Sequence, residues 1–414
     1  MKRISTQMPN DDMQYQARMR EWRMSELQNR MAGQTRIKEL RDDPIAAAHS
    51  TRYTSKIQRL TRFTRNIDTL RGDLRIAEGY MSSANDIVQR VREIAVQGAN
   101  GVYTPEERAY MAEEVNELLN ELVEIGNAVD GEGSALFAGD KTEGQAFRVL
   151  TGSVPWTDKQ VITSVDYLGT ANSGKVEIAE GSYVDQLLQG NRVFWAEHQQ
   201  VYSQRDAQAF QVQEDSFILV DGMEISLKSG DSVHSVIAKI NESGAAVKAS
   251  LDPVRNSLVL TTTVPHQLML EDRGDGRVLK DLGILAENGR PPLNYHRDAR
   301  VSGGSVFDMM MNLRDSLYSG DTLQIGGGAL KGLDLAHHTL LSSIAGLGAL
   351  DERMQTVEKR LLYEIPELKE KNSKETDIDL AEAITDLKML EYTHKAALQT
   401  AARVLQPTLM DYLR

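Results

Sequence analysis

The chain has 414 residues, 41% hydrophobic and 26% charged, a globular mix with room for two or three domains of about 150 residues each and no match to a disordered or collagen-like composition. It has no cysteine, which excludes disulfides and thiolate chemistry, and no run approaches the roughly 20 apolar residues of a membrane span. The net charge of −13 hides an opposition: residues 1–75 hold sixteen Lys or Arg against nine Asp or Glu, whereas residues 105–150 hold eleven acids against three bases.

In chain order, Met1 to Gln7 carry positive charge with no apolar stretch behind them, so a cleaved secretory signal is not expected. A basic arm follows, with Arg18, Arg20, Arg23, Arg30 and Arg36. Such an arm suits phosphate or an acidic helix. Acids are interleaved in it and no base-reading motif accompanies it, so an acidic helix is expected and nucleic acid is not. Met13, Ala17, Met24, Leu27 and Met31 repeat at helical spacing, interrupted by Arg20. Asp43 and Pro44 supply a cap and an N1 proline for a second helix. Within it, Leu60, Phe63, Ile67, Leu70, Leu74, Ala77, Met81, Ala84, Val88, Val91 and Ala95 alternate at three and four residues, the spacing of a narrow seam between supercoiled helices. Leu60 to Val91 is expected to be buried within the chain. Thr104-Pro105-Glu106-Glu107 reads as a capping box before a stripe at Met111, Val115, Leu118, Leu122 and Ile125.

From about 150 to 330 the pattern changes to short, glycine-punctuated runs. Phe217 to Val220, Asp221-Gly222, and Met223 to Leu227 predict a hairpin on a type I′ turn. Ser232 caps a short helix, and strands at 246–251 and 257–262 complete a ββαββ unit within an insert at about 212–285. Gly326-Gly327-Gly328 lacks the Gly-Lys-Ser/Thr ending of a phosphate loop and reads as a turn. Helical spacing returns at Leu347, Leu350, Met354, Val357 and Leu361. Thr376 and Asp379 form a weak capping box for a last helix with two stripes. One holds Leu380, Ile384, Leu387, Leu398, Ala401 and Leu405, broken by Glu391 and His394; the other holds Leu380, Ala383, Leu387, Leu390, Ala397, Ala401 and Val404. A helix with so broad an apolar face needs more than one partner. Met13, Ala17, Met24 and Leu27, with Leu380, Ile384, Leu387, Leu398, Ala401 and Leu405, are therefore expected to meet neighbouring subunits.

No catalytic constellation emerges. His337-His338 is read as a surface pair, and Glu271 to Asp275 lacks the order and closing Glu of a calcium loop. No metal, cofactor or enzymatic activity is expected.

Several segments together resemble the flagellin superfamily of bacterial axial proteins: Arg3-Ile4-Ser5-Thr6, Asp42-Asp43-Pro44, Arg92 to Gly101 with Glu106-Glu107-Arg108, and Ala396 to Gln399 with Leu409 to Leu413. The proline after the Asp pair, Asp130-Gly131-Glu132-Gly133, Ala135 to Thr142, Tyr167-Leu168-Gly169, Gly190 to Phe194 and Pro407 to Leu413 resemble the branch that joins hook to filament, the hook-associated protein 3 family. Residues 212–285 resemble an insert shared by some flagellins and the filament-cap protein.

The resemblance implies a mainly α fold with an inserted α+β region, its long terminal helices packed as a coiled-coil bundle. Residues 1–43 would be an N-terminal assembly segment, 44–149 the N-terminal helical part of a stalk, 150–330 an outer β-rich domain, and 331–414 the C-terminal helical part. It further implies export by the flagellar secretion apparatus to a flagellum outside the cell or in the periplasm. The implied partners are hook-associated protein 1, flagellin, copies of itself and an export chaperone, without membrane insertion. A minor flagellin of the filament is the second reading, and a basic-armed nucleic-acid-binding protein the third.

Overall fold

The computed structural model describes residues 8–404 except 40, 142, 156–158, 187 and 275. Contacts divide the chain into two compact units, residues 1–65 with 357–414, and residues 66–356. Three helices open the chain: α1 (Met8–Ala32), α2 (Pro44–Ala99) and α3 (Pro105–Gly126). Asp43 accepts from Ala46 N at 3.0 Å at the start of α2. Thr104 and Glu107 close a reciprocal capping box at the start of α3. All eleven seam positions of α2 from Leu60 to Ala95 are buried. On α3 the buried stripe centres on Ala112, Val115, Leu119, Leu122 and Ile125. Leu118, placed on the stripe by its spacing, lies at the margin and is half-buried. Leu118 and Leu119 are adjacent, and only the position of the helices around α3 selects between them.

The middle elements are β1 (Phe147–Ser153), β2 (Gln160–Tyr167), β3 (Lys175–Ala179), β4 (Ser182–Asp185), α4 (Gly190–Val193), β5 (Gln200–Tyr202), β6 (Ser216–Val220), β7 (Met223–Leu227), α5 (Val233–Glu242), β8 (Val247–Leu251), β9 (Leu258–Thr262), β10 (Leu270–Arg273), α6 (Val278–Asp281) and β11 (Arg300–Ser302). β6 and β7 pair through Asp221 and Gly222, both at positive φ (50° and 79°), as a type I′ turn requires. The two hairpins of the ββαββ segment do not share one sheet. β6 and β7 sit in the order β10-β6-β7, and β8 and β9 in the order β11-β5-β9-β8. The partners β5, β10 and β11 come from outside the segment, which local alternation cannot reveal. α5 and both sheets enclose one core that includes Ile218, Ile225, Val236, Ile240, Ala249 and Leu260.

The chain then returns through α7 (Val306–Ser319), α8 (Thr322–Gln324), a π turn (Ile325–Ala329), α9 (Leu330–Thr376) and α10 (Leu380–Val404). Gly326-Gly327-Gly328 is thus helical and not a reversal. Ile325 and Ala329 on either side are fully buried and extend the apolar stripe of α9, so packing overrides the low helix propensity of glycine. The reversal comes earlier, at Gly320, which ends α7 in the left-handed conformation. At the far end, Thr376 is the last residue of α9, and its Oγ1 donates to Asn372 O. The cap of α10 is Asp379, which accepts from Ala381 N and Glu382 N at 2.8 and 3.2 Å. The capping-box reading of Thr376 and Asp379 is therefore corrected: the carboxylate is itself the N-cap, because it precedes the first free N–H groups of α10.

α2 and α9 run antiparallel within each unit. In the second unit Arg71 pairs with Asp351 at 2.6 Å and Arg92 with Asp334 at 2.5 Å. In the first, Lys56 pairs with Glu364 at 2.6 Å and His49 approaches Glu375 at 3.3 Å. On α9, Leu347, Met354, Leu361 and Leu368 are buried at intervals of seven. In the second unit α3 packs on α7. Beside them Phe147 makes ring contacts with Tyr167, Phe194 and Phe307 at 5.0 to 5.5 Å. Arg314 of α7 is fully buried and donates to Ile162 O at 2.8 Å and to Asn116 Oδ1 at 3.2 Å, tying α7 to β2 and α3.

Two outcomes follow from this packing. Arg314→Ala leaves Ile162 O and Asn116 Oδ1 buried without that donor, and denaturant unfolding is expected to show a loss of about 2–3 kcal/mol. Asp231, before α5, has its carboxyl drawn from 3.8 down to about 2, chiefly by the Lys239 side chain and then by Lys228 N. A depressed carboxyl stabilises the fold above its ordinary range, and that contribution disappears as pH falls through about 2. Asp231→Asn should flatten this part of an acid titration followed by circular dichroism.

Candidate functional site

The sequence places its assembly candidates on α1 and α10, which pack against each other in the first unit. Arg20, the interruption in the α1 stripe, donates from Nη1 to Thr393 O at 3.4 Å. His394, an interruption in α10, lies 3.7 Å from Glu21. The charged breaks in the two stripes therefore face one another's helix. Between the helices a groove of about 490 Å³ remains, lined by Leu27, Met389 and Leu390 with Arg23, Arg30 and Asp386 around them.

Burial separates the two stripes of α10. Ala383 is buried, and Leu387, Leu390 and Ala397 are half-buried. Leu380, Ile384 and Leu398 are exposed, Leu398 by 47%. Leu380, Leu387 and Ala401 belong to both stripes; of these Leu380 is exposed and Leu387 half-buried. Ala401 lies in α10, and Leu405 lies outside the described residues, as do Arg3 to Thr6 and Pro407 to Leu413. On α1, Met13, Ala17, Met24 and Leu27 are all half-buried, and they lie on a helix whose partner in this chain is α10. α1 thus has a helix of its own chain beside it, in addition to the neighbouring subunits these four are expected to meet. Leu60, Phe63, Ile67, Leu70, Leu74, Met81, Val88 and Val91 are buried on α2.

Packing at these helices is thin. Among the described side chains of α1 none is buried, and among those of α10 only Ala383 is. Trp22 is 58% exposed, Met389 67% and Tyr392 76%. All three are large apolar side chains left at the surface of α1 and α10. Reading the stripes alone misses Trp22, Met389 and Tyr392; the available signal was the presence of large apolar side chains outside the seams.

The remaining sequence candidates are His337-His338 and the loop that begins at Glu271. His337 approaches Gln89 Nε2 at 3.3 Å and His338 is exposed. Asp272, in the loop weighed for calcium, accepts instead from Leu279 N and Lys280 N at 2.9 and 3.1 Å, and burial pushes its carboxyl up. Among the described residues no group of three or more His, Asp or Glu side chains is placed to hold a metal.

Residues 4–142 match the bacterial flagellin N-terminal helical region, and residues 210–264 match the flagellin hook IN motif. Flagellin FlaB1 of Treponema pallidum is 33% identical over 121 residues, which is 29% of this chain and 42% of that protein. Flagellar hook-associated protein 3 of Salmonella typhimurium is 26% identical over 164 residues, 40% of this chain and 52% of that one. The solved hook-associated protein 3 of Legionella pneumophila aligns at a TM-score of 0.47 and 19% identity, covering 78% of this chain and 97% of the other. The chain spans about half or less of the length of the curated relatives it matches.

The thin burial has a measurable consequence. Backbone amides of α1 and α10 are expected to exchange with deuterium at least about tenfold faster than those of α3 and α7 in dilute protein, and to slow on assembly. Equal protection of the two helix pairs in the isolated chain would contradict it.

Proposed function

We propose that this chain is a structural subunit of the bacterial flagellum that joins hook to filament by helix-mediated assembly with neighbouring axial subunits. The observation that carries the reading is the unpartnered apolar face of α10, at Leu380, Ile384 and Leu398, in a chain with a flagellin-type N-terminal helical region. In this reading the helices of 1–43 and 331–414 supercoil with those of neighbours, Leu380, Ile384 and Leu398 meet another subunit, and 150–330 faces outward. The partners are hook-associated protein 1 on the hook side, flagellin on the filament side, other copies of this chain, and a chaperone during export through the flagellar secretion apparatus. Side chains here bind other chains and perform no catalysis.

A second reading, a minor flagellin of the filament, is favoured by the identity to Treponema pallidum flagellin. Salt-induced growth of the purified chain into long fibres would select it. Failure to polymerise alone, together with binding to the distal hook protein, selects the junction.

Leu398→Asp tests the proposed contact. The side chain is exposed, so the folded chain should keep its stability to within about 0.5 kcal/mol. Immunoelectron microscopy should find the parent protein at the hook–filament boundary and the variant missing from it. Normal incorporation of Leu398→Asp would remove this face from the contact.

A further inference from the structure

Asparagine stands directly before glycine at two places in this chain, Asn100-Gly101 and Asn288-Gly289. In such a pair the backbone nitrogen of the second residue can attack the side-chain amide of the first, and glycine puts no Cβ in its way. Nucleophile and target already belong to one chain, so local conformation sets the rate.

The two sites differ in what holds that nitrogen. Asn100 follows the last turn of α2, where Asn100 N donates to Gln97 O and Gly101 N to Ala99 O, each at 3.1 Å. Attack there must first break the bond that Gly101 N makes. Asn288 and Gly289 are both exposed, in the loop between α6 and β11. Among the described residues neither Gly289 N nor the Asn288 side chain makes a hydrogen bond. The base of the loop is fixed: Leu285 bridges Tyr295, and Ala286 N donates to Asn294 O at 2.8 Å. Packing also explains the glycine. A Cβ at 289 would lie 2.9 Å from both Cα and Cβ of Asn294. Asn294 is itself buried, and its Nδ2 donates to Leu270 O at 2.8 Å, at the start of β10. The close approach that requires glycine therefore keeps a reactive pair at the surface.

We propose that Asn288 is a site of spontaneous modification, converting to aspartate and isoaspartate in the folded protein while Asn100 is protected. Gly289 N attacks Asn288 Cγ and gives up its proton. The side-chain nitrogen takes that proton and leaves as ammonia, and a succinimide ring remains. Water then opens the ring. Opening at Cγ yields aspartate, and opening at the main-chain carbonyl carbon of residue 288 yields isoaspartate, whose main chain runs through Cβ and Cγ. The net exchange is water in and ammonia out, with no oxidant, reductant or enzyme. Either product adds a negative charge beside Glu287, which pairs with Arg277. Isoaspartate also lengthens the main chain where Gly289 meets Asn294. None of these residues belongs to the helices proposed for assembly, and the inference stands independently of the junction reading.

Peptide mass spectrometry of the full chain, aged in mildly alkaline buffer, tests it. Isoaspartyl methyltransferase with labelled S-adenosylmethionine reports the isoaspartate separately. In the folded chain Asn288 should convert at least about tenfold faster than Asn100. In urea, where the bond from Gly101 N is lost, the two rates should come within about threefold of each other. An Asn288 that keeps its amide in the folded chain, or an Asn100 that converts as fast, overturns the inference. A tenfold difference that persists in urea overturns it too, because the fold would then not be what protects Asn100.

Discussion

The antiparallel apposition of α2 and α9 is the constraint on which the other elements depend. Each helix presents a stripe too narrow for a globular core and too regular to leave in water, so each needs a long helical partner. Charge fixes the direction: rising positions on α2, Arg71 and Arg92, meet falling positions on α9, Asp351 and Asp334. Because the two helices run in opposite senses, the first and last parts of the chain fall in one unit, and α1 meets α10.

That meeting is incomplete, and the proposed assembly rests on its incompleteness. α2 buries every seam residue from Leu60 to Ala95, whereas α1 buries none of its described side chains and α10 only Ala383. Two isolated helices in contact cover one stripe each. Among the described residues of its second stripe, Leu380, Ile384 and Leu398 remain exposed. A neighbour that covered them would add apolar burial where the chain lacks it, which is how assembly can be favourable without rearranging the interior.

Several basic residues of α2 find their acids on α9. Arg90 pairs with Glu114 of α3 at 2.6 Å, Arg36 with Asp43 at 3.3 Å, and Lys56, Arg71 and Arg92 with acids of α9. These are largely exposed pairs, each worth little alone. Their contribution is to orient helices whose apolar stripes would tolerate either direction.

The sequence by itself determined α1, α2, α3, α5, the later part of α9 and α10, the caps at Asp43 and Thr104, the type I′ hairpin at Asp221-Gly222, and the double stripe of α10. All of these are local: three- and four-residue spacing, a carboxylate or hydroxyl before free N–H groups, and a turn that demands positive φ. What the tertiary structure decided is everything that needs a partner distant in the chain. It chose Leu119 over Leu118, placed the two hairpins in different sheets, and drew Gly326 to Gly328 into a helix by burying Ile325 and Ala329. It also selected the stripe of α10 that turns to α1 and the one left at Leu380, Ile384 and Leu398. Periodicity states that a face is apolar; which neighbour reaches it is a property of packing in three dimensions.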